Sequence, residues 1–292
     1  MIDIVIDARA AALAPGMEVR RILPFRQRRM VGPFIFMDHA GPVFIQPDKA
    51  KTMDVLPHPH IGLSTVSYLL GQVIRPGEVN WMTAGRGIAH SERFEDPAVL
   101  AGGQLEMIQT WVALPEKDEE AMPAFTNYKP EALPVFTDTG VWMRLIAGNA
   151  YGLQGQVKTH SPLCYLHVVL ETGARFGLPR EHTERGFYIV KGSVEVSGTT
   201  YTSGKLMVFT KGVDPLILAK EKTTLMLLGG EPVGERFIWW NFVSSRKERI
   251  EQAKEDWKQG RILLPPTDNH EFVPLPEDKS KPAGSPPPQL LS

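Results

Sequence analysis

Leu56-Pro57-His58-Pro59-His60 runs into an apolar stretch that ends at Leu70-Gly71. Leu178-Pro179-Arg180-Glu181-His182 runs into another that ends at Val190-Lys191-Gly192. The shared Leu-Pro-x-x-His core recurs 122 positions on, from residue 60 to residue 182, a spacing that suits one β-barrel. Around the repeat lie nine runs rich in β-branched and aromatic residues: Ser64–Leu70, Val79–Met82, Met107–Leu114, Val141–Ala147, Tyr165–Leu170, Phe187–Val190, Ser193–Val196, Lys205–Thr210 and Thr223–Leu228. The 26 Gly and 25 Pro are spread between them, and both residues end strands and build turns. The pattern predicts an all-β protein of two similar barrels in tandem, residues 1–150 and 151–260. Ser245 and Glu248 read as a capping box, with Ile250, Ala253 and Trp257 on one face of a short C-terminal helix closed by Gly260. Residues 261–292 read as an extended, largely disordered Pro-rich tail, because Lys279-Ser280-Lys281-Pro282 and Pro286-Pro287-Pro288 bury little apolar surface.

Composition narrows the function. The 292 residues carry 32 Lys+Arg against 33 Asp+Glu, a formal net charge of -1, which argues against bulk binding to nucleic acid or to anionic membranes. Cys164 is the only cysteine, so no internal disulfide is available and a reducing compartment fits. Apolar runs such as Leu225-Met226-Leu227-Leu228 fall far short of the roughly 18 residues of a membrane span. The opening Met1-Ile2-Asp3-Ile4-Val5-Ile6-Asp7 carries acids where a signal peptide carries cations. A cytoplasmic, monomeric protein is expected.

Chemistry concentrates at two short pairs. Residues i and i+2 of a strand share a face, so His58 and His60 converge on one point. His90 and Glu92 repeat that spacing within Gly85-Arg86-Gly87-Ile88-Ala89-His90-Ser91-Glu92. A lone His-x-His in a strand also suits a solvated face; the second pair and its glycine-rich approach favour a metal. Three imidazoles and one carboxylate suit Fe(II), Mn, Ni, Cu or Zn rather than Ca or Mg, and leave positions open for water or substrate. His182 keeps the place of His60 in the second barrel, but Arg180 replaces His58 and no histidine lies between 182 and 270. That barrel is expected to hold no metal. His39 reads as a structural turn residue, His160, His167 and His270 as unpartnered, and Cys164 as a buried inert thiol. Trp239-Trp240 is expected to pack the barrel against the Ser245 helix.

The segments Gly32-Pro33-Phe34-Ile35-Phe36-Met37-Asp38-His39, His58-Pro59-His60, Pro76-Gly77-Glu78-Val79-Asn80-Trp81-Met82-Thr83-Ala84-Gly85-Arg86-Gly87-Ile88-Ala89-His90-Ser91-Glu92 and Gln109-Thr110-Trp111-Val112-Ala113-Leu114-Pro115 closely resemble the pirin family of the cupin superfamily. The resemblance runs to the helix near residue 258. It implies two tandem cupin barrels, double-stranded β-helices of the jelly-roll type. It also implies one divalent transition metal in the first barrel, on His58, His60, His90 and Glu92. Fe(II) is the foremost candidate; Mn, Ni, Cu, Co and Zn are alternatives. The implied activity is that of a quercetin (flavonol) 2,3-dioxygenase using O2, with Glu92 as the catalytic base. Phe36, Met37, Trp81 and Met82 are candidates for an apolar pocket wall. The alternative is an iron- or redox-gated regulator that binds a protein partner without turnover; a cupin isomerase or hydrolase is a third reading. One departure stands out. Family members carry a longer hairpin where Tyr68-Leu69-Leu70 here reaches Pro76-Gly77 through Gly71-Gln72-Val73-Ile74-Arg75, either a shortened hairpin or a stretch absent from this sequence.

Overall fold

The computed structural model describes residues 1–14, 17–47, 50–70, 77–93 and 101–276. The short connection after Leu70 and the Pro-rich stretch from residue 277 lie outside the described residues. Two antiparallel sheets dominate. The first runs in the order Ala124–Tyr128, Val79–Thr83, Leu63–Leu69, Gly103–Ala113, Phe34–Ile45, Met17–Leu23 and Arg9–Ala14. The second runs Ile2–Asp7, Lys205–Phe209, Glu184–Lys191, Thr223–Gly230, Leu163–Leu170, Val141–Ala150 and Val135–Asp138. A four-stranded sheet (Arg175–Gly177, Leu216–Ala219, Ser193–Val196 and Thr199–Thr202) closes the second lobe. Among the described residues the architecture is all-β with one short C-terminal α-helix, Lys247–Lys258. No helix among the described residues is long and apolar enough to cross a membrane.

All nine predicted runs coincide with strands, the one from Met107 starting earlier, at Gly103. Several strands of the second sheet are apolar on both faces, and the period of two sorts them. In Thr223–Gly230, Leu225 and Leu227 enter the second barrel's core with Phe187, Val194 and Ile217, while Met226 and Leu228 enter a core between the lobes. Strands covered on both sides read as continuous apolar runs. That shared core joins Met37, Tyr68, Trp81 and Ile108 of one lobe to Tyr165, Tyr188 and Leu228 of the other. Met37 and Trp81 therefore belong to the packing between lobes, not to a pocket wall.

Strand pairing divides the chain differently from the expected boundary at 150. Ile2–Asp7 pairs with Lys205–Phe209, and Val141–Ala150 pairs with Leu163–Leu170. Residues 2–7 and 135–150 thus sit in the second lobe's sheet. Two Tyr–His pairs cross the interface in opposite senses. Tyr68 Oη meets His167 Nδ1 at 3.0 Å, and Tyr188 Oη meets His39 Nδ1 at 3.0 Å. His39 is no turn residue: it is fully buried in strand Phe34–Ile45, with Glu106 and Arg20 at its Nε2. His167 is likewise partnered, and His160 pairs with Asp118 at 3.3 Å.

Burial pushes His167 down from its ordinary value to about 4, with nearby Arg144 adding to the effect. The folded state then binds fewer protons than the unfolded chain between about pH 6.5 and 4, so stability is present above that window and lost as pH falls through it. Each tenfold change in proton affinity is worth about 1.4 kcal/mol, so the loss approaches about 3 kcal/mol. Urea midpoints at pH 7 and pH 5 capture about 2 kcal/mol of it, the part lost between about pH 6.5 and 5, and His167→Gln is expected to reduce the difference by that amount.

The helix forms without the expected capping box. Its N-cap is Arg246, with no side-chain cap bond. Ser245 instead donates its N–H and its hydroxyl to Glu119, at 2.8 and 3.2 Å. The C-terminus does close on Gly260 (φ +67), with Gly260 N–H to Trp257 O and Arg261 N–H to Asp256 O, the paired bonds of a Schellman cap. Trp239 and Trp240 pack with Ile250, Ala253 and Trp257, and the ammonium of Lys254 lies 4.1 Å from the Trp239 ring centre. Beyond the helix, the segment 261–276 differs from an extended tail: Ile262, Phe272 and Leu275 are buried against Ile61, Ala89 and Trp257.

Candidate metal centre

The two histidine-bearing strands, Val55–His60 and Ile88–Glu92, pair only with each other. Their antiparallel register sets His58 opposite His90 and His60 opposite Ile88. With a period of two, His58, His60, His90 and Glu92 share one face of this ribbon, while Pro59, Ala89 and Ser91 share the other. The turn into the second strand needs glycine. At Gly85 φ is +51, and an added Cβ would lie 1.9 Å from the Ala121 carbonyl oxygen, which accepts the Arg86 N–H at 3.0 Å. That carbonyl holds the turn, so no larger residue fits.

The three imidazoles meet as the spacing requires. Ring centres lie 5.0 Å apart for His58–His60, 4.5 Å for His58–His90 and 5.1 Å for His60–His90. One nitrogen of each ring lies within 4.8 Å of the other two; this is the one such donor group among the described residues. Glu92 is not in that group of three. It sits opposite Val55 at the ribbon's end, and burial pushes its carboxyl up to about 7.

Electrostatics leave these rings neutral. Burial lowers His58; it lowers His60 well below the ordinary value, with His58 and His90 adding to the effect; and it takes His90 to about 3 with help from His58. His58 donates Nδ1–H to the Leu56 carbonyl at 2.9 Å, which fixes its tautomer and leaves Nε2 as a lone-pair donor. Both nitrogens of His60 and Nε2 of His90 are buried with no hydrogen-bond partner; the Asn241 backbone lies beside His60 but outside good hydrogen-bond geometry. An unpaired buried polar atom costs about 1–3 kcal/mol. One nitrogen each of His58, His60 and His90 gathers within 4.8 Å, and such a set of neutral nitrogens suits a transition metal.

Beside the centre, Trp111 lies edge-on to His60 at 5.5 Å and stacks on Phe36 at 4.2 Å and 17°. Of the four residues suggested as pocket wall, Phe36 and Met82 are on this side: Phe36 pairs with Trp111, and Met82 and Trp111 both pair with Thr65 and so share its face. Trp111 was not singled out from the sequence; its place two residues from Gln109 in an inward-facing strand was the available signal. In the second lobe Arg180, which stands in the place of His58, is exposed and pairs with Asp214 at 2.9 Å, and a second arginine nearby is buried. Arg185, 3% exposed, donates to the carbonyls of Pro179 and Val213 at 3.0 and 2.7 Å and pairs with Asp214 at 3.4 Å. His182 donates Nε2–H to the Asn149 carbonyl at 2.8 Å. Cys164 is buried, and burial raises its thiol.

Comparison with known proteins agrees with this arrangement. The family model described as Pirin matches residues 16–112, and that described as Pirin C-terminal cupin domain matches residues 165–263. A pirin-like protein of Caulobacter vibrioides is 52% identical over 290 residues, covering 95% of this chain and 100% of that protein. A Pseudomonas aeruginosa protein with the provisional name quercetin 2,3-dioxygenase is 37% identical, covering 87% and 83%. The crystal structure of quercetin 2,3-dioxygenase from Acinetobacter baumannii aligns with a TM-score of 0.77 at 33% identity, covering 87% of each chain. Two barrels, three converging imidazoles in the first and matches across both halves lead to one conclusion: the chain belongs to the pirin family of cupin proteins.

Proposed function

We propose that the protein is a metal-dependent dioxygenase acting on a flavonol such as quercetin, with His58, His60, His90 and Glu92 holding one divalent transition metal, Fe(II) foremost. The observation that carries this reading is the set of neutral, unpartnered imidazole nitrogens gathered within 4.8 Å. When bound, such an ion acidifies a coordinated hydroxyl and supports chemistry with O2. The chain supplies the rest. The Leu56 carbonyl fixes the orientation of His58. The stacked Trp111 and Phe36 offer an apolar flank to a planar aromatic substrate. A Glu92 carboxylate oxygen accepts the proton of the substrate's 3-hydroxyl. The heterocycle then opens, both atoms of O2 entering the product as carbon monoxide leaves. The names of the Pseudomonas and Acinetobacter relatives support the same reaction class.

The test supplies quercetin and O2 to the iron-loaded protein and follows flavonol absorbance together with carbon monoxide. Loss of absorbance with release of carbon monoxide is expected, and none with His90→Ala. An iron-loaded protein that leaves the flavonol intact would overturn the dioxygenase reading and favour the metal-gated binder of a protein partner.

A further inference from the structure

The ribbon that carries the three histidines is hydrogen-bonded to neither large sheet, and a two-stranded ribbon alone is marginal in water. Its rigidity must come from what backs its outer face. That backing is the segment 261–276. Ile262, Phe272 and Leu275 pack on Ile61, Ala89 and Trp257. The Val273 N–H donates to the Pro57 carbonyl at 2.8 Å, one residue before His58, and Trp257 Nε1–H holds the Val273 carbonyl at 3.0 Å. At the other strand, Asp268 accepts Arg93 Nε–H and Nη2–H at 2.7 and 2.8 Å, and Glu271 accepts Nη2–H at 2.8 Å. The Ser91 side chain also lies beside Asp268. Ser91 and Arg93 flank Glu92 and point to the opposite side of the strand.

We propose that Asp268 is a positioning residue for the metal centre. By gripping Arg93, the residue after Glu92, through two hydrogen bonds and lying beside Ser91, the residue before it, it holds that carboxylate toward the three imidazoles, so the segment 261–276 sets how tightly the ion is bound. The inference rests on Glu92 being the fourth ligand. Groups that orient a ligand change metal affinity by about 10–100-fold when removed.

The experiment titrates Co(II) into the full chain against a competing chelator and records its d–d absorption. The samples are the parent, Asp268→Ala, Glu92→Gln and the double variant. Asp268→Ala is expected to weaken Co(II) binding about tenfold and to change the d–d bands. In the Glu92→Gln background the same substitution is expected to do neither, because residues acting through one another are non-additive. An equal loss in both backgrounds, or no loss in the parent, overturns the positioning role. A Glu92→Gln protein with parental affinity and spectrum instead overturns the fourth-ligand reading beneath it. Should Asp268→Ala fail to fold, Ser91→Ala carries the same cycle with a smaller expected loss.

Discussion

His60→Ala is expected to leave the purified protein with less than about one hundredth of the parent's metal affinity, measured as metal content on isolation and by chelator competition. His60 is the most enclosed of the three imidazoles, 2% exposed, and both its nitrogens lack a protein partner. No neighbouring side chain stands ready to replace it, since among the described residues no other His, Cys, Asp or Glu joins the group. Thermal unfolding gives a second readout. An ion at 100 times its dissociation constant stabilises the folded state by about 2.7 kcal/mol, and that increment should vanish in the variant. His182→Ala is the matched control: it removes the repeat's counterpart in the second lobe and should leave metal content unchanged. A His60→Ala protein that keeps its ion would show that the ion sits elsewhere.

The largest stability effect is expected at Glu119, not at the metal. Glu119 is 2% exposed and faces Arg236, whose side chain is 3% exposed, at 3.0 Å. It also accepts Ser244 Oγ–H at 2.7 Å and the Ser245 N–H at 2.8 Å, while Arg236 donates Nη2–H to the Leu114 carbonyl at 2.9 Å. These bonds pin the chain after the second barrel onto the first lobe, where the Val243 N–H reaches the Ile61 carbonyl at 3.2 Å. Removing one partner of a buried pair strands the other charge and costs about 3–5 kcal/mol. Glu119→Ala should show this as a lower urea midpoint, and Glu119→Gln, which keeps the acceptor oxygen, should lose less. A stability within about 0.5 kcal/mol of the parent, the range of an ordinary surface substitution, would mean that water replaces the pair.

The histidines were legible because a strand's period of two is rigid: His58 with His60, and His90 with Glu92, could face only one way. The strands of the second sheet were legible because burial on both faces leaves long apolar runs. What the sequence hid was long-range pairing. Nothing local in Ile2–Asp7 names Lys205–Phe209 as its partner, so the boundary near 150 was drawn by distance along the chain. Ser245 looked like a cap because its neighbours suit one; Glu119, 126 residues away, claimed its hydrogen bonds instead. His39 looked like a turn because Asp38 precedes it, yet Asp38 is itself buried and held by Arg21 at 2.8 and 3.0 Å. The segment 261–276 looked unstructured because its few apolar residues find their cover only on the ribbon and the helix.

The opening strand belongs to the far lobe, and this orders events on the ribosome. At about 5–20 residues per second, Ile2–Asp7 emerges roughly 10–40 s before its partner at 205–209 is made. For that interval its apolar side chains have no native mate, and a cell must shelter them or tolerate them. Completion of the C-terminal half is then what covers this early strand. A fusion partner joined ahead of Met1 would be felt at the distant edge of the molecule, far from the residue to which it was attached.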